Sequence, residues 1–155
     1  MPSGMIAGGG DVGSELARRL LAEGWQVYGL RRDTPALPAG VVPVAGDLCA
    51  AERPADWPAQ LDYMVYCPAA GKRDADLYQR LYVEGLQHAL SWLGERKRPL
   101  RHLLQVSSSG VYAQQEGEWV TENSPARADS GSSSALLAAE DVALRSGHPA
   151  SVVRL

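Results

Sequence analysis

Three glycines, Gly8, Gly10 and Gly13, fall in the spacing Gly-x-Gly-x-x-Gly between a short apolar run and the first helical pattern. Between a strand and a helix that spacing has a specific use. Gly8 permits a tight turn, Gly10 lets the backbone approach a pyrophosphate, and Gly13 lets helix and strand pack closely. Asp11 and Val12 complete the turn. The helix that starts there offers unpaired N–H groups and the positive end of its dipole to an anion. Arg31 and Arg32 stand just past the next apolar run. An acid at that place would hydrogen-bond the ribose 2′-OH of NAD, whereas arginine accommodates the 2′-phosphate of NADP. A solvated pair at a strand end is the plainer use of two arginines, and Asp33 could partly neutralise them. Arginines where an NAD site would carry an acid favour NADP, with NAD as the alternative.

Such groups need strands and helices to hold them, and the chain supplies these in alternation. Strands are expected at Gly4–Ala7, Trp25–Leu30, Val41–Ala45, Leu61–Cys67, Leu100–Val106 and Ser151–Leu155. Helical spacing of Val12, Leu16, Leu20 and Leu21 follows the first strand, and Asp76–Leu93 is the longest helical pattern. A short helix is expected within Ala50–Gln60, a loop over Ser107–Ser134, and a helix over Ala135–Arg145. Apolar runs alternating with helices predict a parallel α/β sheet, doubly wound, in the order 3-2-1-4-5-6. The 155 residues make one domain, 1–155, whose last residues lie inside an apolar strand. That ending suggests a piece lacking a C-terminal lobe.

Composition trims the alternatives. A net charge of −3 gives no basic footprint for nucleic acid or an acidic membrane. No apolar stretch approaches a membrane span, and two cysteines, Cys49 and Cys67, fit a reducing cytoplasm better than a disulfide framework. His88, His102 and His148 are scattered without metal-ligand spacing, so no metal site is expected.

Five segments in order resemble the short-chain dehydrogenase/reductase superfamily, in its extended branch of epimerases and dehydratases: Ile6–Gly13, Asp47-Leu48, Val65–Ala70, Tyr82–Leu90 and Val106–Ala113. Trp119–Ala128 looks like that branch's Glu-x-x-Pro segment. The resemblance implies a Rossmann domain in which Asp47 and Leu48 flank adenine, while Cys67, Pro68 and Ala69 line the path to the nicotinamide ribose. It makes Ser108, four before Tyr112, the serine that polarises a substrate carbonyl, with Tyr112 beside it. Homodimers through the helix over Asp76–Leu93, and a C-terminal lobe holding the small-molecule substrate, follow from the same likeness.

The chain departs from the superfamily at the Tyr-x-x-x-Lys pair, whose positions hold Ser132 and Leu136. Tyr82 stands where relatives carry an asparagine, and the lysines are Lys72 and Lys97. Two functions follow: an oxidoreductase of altered chemistry, or a catalytically inactive nucleotide-binding sensor or scaffold. Lys72 and Arg73 precede Asp74 and Asp76 in a loop at the ligand edge, where solvated charges are the simpler reading.

Overall fold

In the computed structural model, which describes residues 1–94 and 98–155, the strand entering the glycine turn, β1 (Ser3–Ala7), lies at the centre of a sheet. Met5, Ile6 and Ala7 are buried although they point to opposite faces, as a parallel sheet covered on both sides requires. Beside β1 run β2 (Gln26–Arg31) and then β3 (Val42–Ala45). On its other side lie β4 (Tyr63–Tyr66), β5 (His102–Ser107) and β6 (Ala150–Arg154). All pairings are parallel, in the expected order β3-β2-β1-β4-β5-β6. Ala7 is level with Leu30 on one neighbour and Tyr66 on the other. The three central strands therefore end together, and their loops leave from one carboxyl edge.

The helices are α1 (Asp11–Ala22), α2 (Ala75–Tyr78), α3 (Gly85–Trp92) and α4 (Gly131–Leu144). Asp74 caps α2 by accepting from the Leu77 N–H at 3.0 Å. A π-helical turn over Gln79–Glu84 joins α2 to α3 without a break. On one face of the sheet Met5, Ala7, Leu30, Val44 and Leu103 pack with Leu86, Ala89 and Trp92 of α3. On the other face Ile6, Val27 and Cys67 pack with Leu16, Ala17 and Leu20 of α1.

Three expectations are corrected. No helix forms within Ala50–Gln60; Pro54 and Pro58 lack donors, and the Trp57 N–H closes a single turn on the Pro54 carbonyl at 3.1 Å. Trp57 is buried instead, edge-on to Trp92 with ring centres 5.3 Å apart. Val12 is not on the buried stripe of α1 but 51% exposed, because Gly13 takes the contact point one turn before Leu16 and Ala17. Helix α4 begins a turn before Ala135: Ser130 accepts from the Ser133 N–H at 3.1 Å, so serines read as loop are a cap and first turn.

Helix α1 covers β1 and β2 but stops short of β5. Tyr63, Val65, His102 and Leu104 remain half-buried and, with Leu16, Leu20 and Trp25, line an apolar groove of about 300 Å3. None of the described helices is long and apolar enough to cross a membrane.

Candidate functional site

The three glycines of the turn do different work. Gly8 has φ +105°, and a Cβ there would sit 2.5 Å from the backbone of Pro68. Its N–H donates to the Leu30 carbonyl at 3.3 Å. Gly13 meets the same wall from the helix side: a Cβ would lie 2.4 Å from the Gly8 carbonyl oxygen and 3.0 Å from Ile6 Cγ2. A Cβ on Gly10 would meet nothing within 4 Å. Gly8 and Gly13 are thus required by packing, whereas Gly10 borders open space. That is where a phosphate would approach the N-terminus of α1.

The open space is a cleft of about 600 Å3 at the carboxyl edge. Of the residues expected to hold a dinucleotide, Gly8, Gly10, Arg31, Arg32, Asp47, Leu48, Pro68 and Ala69 line it. Asp11 and Val12 are exposed beside it, while Gly13 and Cys67 lie behind its wall. A cleft of this size, with backbone free of Cβ at its floor, fits a dinucleotide. Arg31 does not project freely: its guanidinium donates to the Gly9 carbonyl, and its Cδ would be 2.9 Å from a Cβ at Gly9. It braces the glycine turn. Arg32 is exposed and, like Arg80 in the π-helical turn across the cleft, has no side-chain partner among the described residues. Asp47 turns its carboxylate back onto the Cys49 N–H at 2.9 Å, and Leu48 is mostly buried against Gly85. Sequence reasoning missed Arg80, because its place in the cleft depends on the long-range approach of the helix.

Cys67 donates its thiol to the Gly8 carbonyl at 3.2 Å, and burial pushes that thiol up to about 12. It is a packing residue. Native protein at pH 8 should leave Cys67 unmodified by an alkylating reagent, with full reaction in denaturant; rapid native labelling, read by mass spectrometry, would contradict the assignment. The sign of the linkage also follows. From the ordinary value of 9.0 up to about 12, the thiol ionises in the unfolded chain and not in the folded one. Its contribution to stability is intact below pH 9 and lost as the pH rises through that window.

Ser108 and Tyr112 do not line the cleft. Ser108 accepts from the Gly110 N–H at 3.1 Å and caps the short 3-10 turn Ser109–Val111. Tyr112 carries the Arg154 guanidinium over its ring, 4.9 Å from the centre. Arg154 is forked onto Glu140 at 3.0 and 2.7 Å, and Glu140 also accepts from the Ser107 hydroxyl at 2.7 Å. Glu140 is buried, and its hydrogen bonds hold the guanidinium above its usual pKa. Sequence reading left this pair unnoticed. Leu136, where the family likeness puts the lysine, is buried with Val111 and Ala139. Tyr82 is also structural: its hydroxyl accepts from the Ala70 N–H at 3.3 Å and tethers the loop after β4.

The three histidines are locally occupied. His88 is bonded to the Leu48 carbonyl, His102 to Ser151, and His148 to the Leu100 N–H. Lys72 lies 4.0 Å from Asp74 in the exposed loop. No group of metal-ligating side chains occurs among the described residues.

Solved structures share this fold. A candidate NAD-dependent epimerase/dehydratase from Methylobacillus flagellatus is 38% identical over 99% of this chain and 53% of its own, with a TM-score of 0.76. A candidate epimerase from Burkholderia cenocepacia is 23% identical over 99% of this chain and 53% of its own, at 0.82. The Bordetella bronchiseptica enzyme WbmH, solved with NAD+, is 20% identical over 99% of this chain and 55% of its own, at 0.73. This chain thus spans about half the length of the structures it matches. No curated protein matches it. The family model that does match runs over residues 5–148, from β1 to the turn before β6, and on that extent the chain belongs to the NAD-dependent epimerase/dehydratase family.

Proposed function

We propose that this chain is a dinucleotide-binding unit of the epimerase/dehydratase type that prefers NADP to NAD. The carrying observation is the open space at Gly10, which faces a cleft with Arg32 unpaired at its rim. Membership of the family and the NAD+ bound to WbmH support the cofactor class. The arginines at the end of β2 support the preference, since no acid replaces them there. When bound, the nicotinamide would supply hydride transfer. The chain's own residues would cradle the pyrophosphate at Gly8–Gly10 and place the adenosine between Arg32 and Leu48.

Catalysis is the weaker half. Ser132 and the buried Leu136 offer neither a phenol to move a proton nor an ammonium to hold the ribose. Ser108 and Tyr112 carry the hydroxyls nearest the expected nicotinamide by family likeness; the Ser108 oxygen accepts from the Gly110 N–H, and the Tyr112 ring lies under the Arg154 guanidinium. This arrangement favours a second reading, in which the chain binds the dinucleotide as a sensor or scaffold and an unknown small molecule is not turned over. Dimerisation through the helix over Asp76–Leu93 fits either reading.

Calorimetry tests the preference. NADP+ should bind the wild type more tightly than NAD+, and Arg32→Ala should remove about 1.5–3 kcal/mol from NADP+ alone. Arg32 is the cleaner position, because Arg31→Ala would also unbrace the glycine turn. Equal wild-type affinities for the two cofactors would end the NADP reading.

A further inference from the structure

Arg80 enters the cleft from the opposite wall to Arg32, on the π-helical turn Gln79–Glu84. Both side chains are exposed, and neither has a hydrogen bond or ion pair among the described residues. Asp47 is turned onto the Cys49 N–H at 2.9 Å, and Asp33 makes no ion pair. Asp74 is within electrostatic reach of Arg80, but its carboxylate accepts from the Leu77 N–H at 3.0 Å and lies 4.0 Å from Lys72. Both guanidiniums act on the Cys49 thiol, although burial, the larger effect, with Asp47 and Glu84 leaves that thiol above its ordinary pKa. Two cations lining one cleft without a hydrogen bond or ion pair among the described residues favour a small, multiply charged anion over a neutral ribose edge.

Resting on the NADP reading above, we propose that Arg80 is a second specificity residue. It grips the adenosine 2′-phosphate from the helix side while Arg32 grips it from the sheet side. A dianionic phosphate has three oxygens to share, so two planar forks can bind it together where one would leave oxygens to water. The π-helical turn matters here because such turns re-aim side chains within a helix and recur at functional sites. Arg80 is exposed, so replacing it removes no core packing.

The test uses the 155-residue chain and four probes: NADP+, NAD+, adenosine 2′,5′-bisphosphate and 5′-AMP. Titration calorimetry is run on wild type, Arg32→Ala, Arg80→Ala and Arg80→Lys, with circular dichroism to confirm that each is folded. Arg80→Ala should weaken NADP+ and the bisphosphate about 10- to 100-fold, leave NAD+ and 5′-AMP within about twofold, and lessen the salt dependence of the first pair. Arg80→Lys should recover part of the loss. Equal weakening of all four probes would mean that Arg80 stacks on adenine, and would overturn the proposal. An NADP preference that survives Arg80→Ala but falls with Arg32→Ala would overturn it while leaving the parent reading standing. A wild type blind to the 2′-phosphate would sink both, and the wild-type titration alone separates that case.

Discussion

Gly10→Val should abolish dinucleotide binding and leave the fold nearly as stable as before. The space that a side chain would fill at Gly10 is empty of protein, so the new methyls displace no neighbour. Gly10 is the N-cap of α1 and makes no side-chain cap there; valine in that place costs at most about 1 kcal/mol. The same methyls would occupy the place where a pyrophosphate must come within hydrogen-bonding reach of the backbone. Gly8→Ala should behave in the opposite way. A Cβ at φ +105° and 2.5 Å from the Pro68 backbone requires β4 and the turn to part, so melting and binding should fall together. Thermal unfolding beside titration of NADP+ separates the two cases. Undiminished binding by folded Gly10→Val would place the cofactor elsewhere on the chain.

Replacing Glu140 with alanine should be the most damaging change away from the glycine turn. The carboxylate joins α4 to β6 through Arg154 and to β5 through Ser107, in a buried setting. Removing it strands a guanidinium that is itself largely covered, with a side chain 19% exposed. Breaking one partner of a buried pair costs about 3–5 kcal/mol, a large share of the roughly 5–15 kcal/mol that holds a domain together. Urea unfolding should show the loss as a lower midpoint with an unchanged slope. The double change Glu140→Leu with Arg154→Met should recover part of it, because two apolar groups need no partner, although the buried Ser107 hydroxyl then loses its acceptor. A loss under about 1 kcal/mol for Glu140→Ala would show that water already reaches Arg154 well enough to screen the pair.

What could be read beforehand was what depends on near neighbours in the chain. The glycine turn was legible because the backbone demands at Gly8 and Gly13 arise within a few residues and admit one residue type. The strand order followed from runs such as Met5–Ala7, buried on both faces, alternating with helices. Ser130, Ser132 and Ser133 misled because a hydroxyl that caps a helix and one that serves a loop look alike until the next turn is built. Trp57 misled through its neighbours: its burial against Trp92 wins over any short helix that Pro54 and Pro58 would allow. Within the site, Arg31 and Arg32 looked equivalent, and only the bond from Arg31 to Gly9 parts them into brace and free cation. Arg80, Glu140 and Arg154 gain their roles from segments far off in the sequence, so no local pattern announces them.

The widened turn at Gln79–Glu84 also has a bearing on how relatives can vary in length. Each residue of a regular helix advances the side chains by about 100°. Leu77 before the turn and Arg80 at its start face the cleft; after it, Leu86 and Ala89 are fully buried. Losing one residue there would restore an even spiral but rotate one half against the other, sending either the rim residues or the core residues the wrong way. Single-residue gaps in this stretch are therefore changes of phase, tolerable only when both halves are rewritten together.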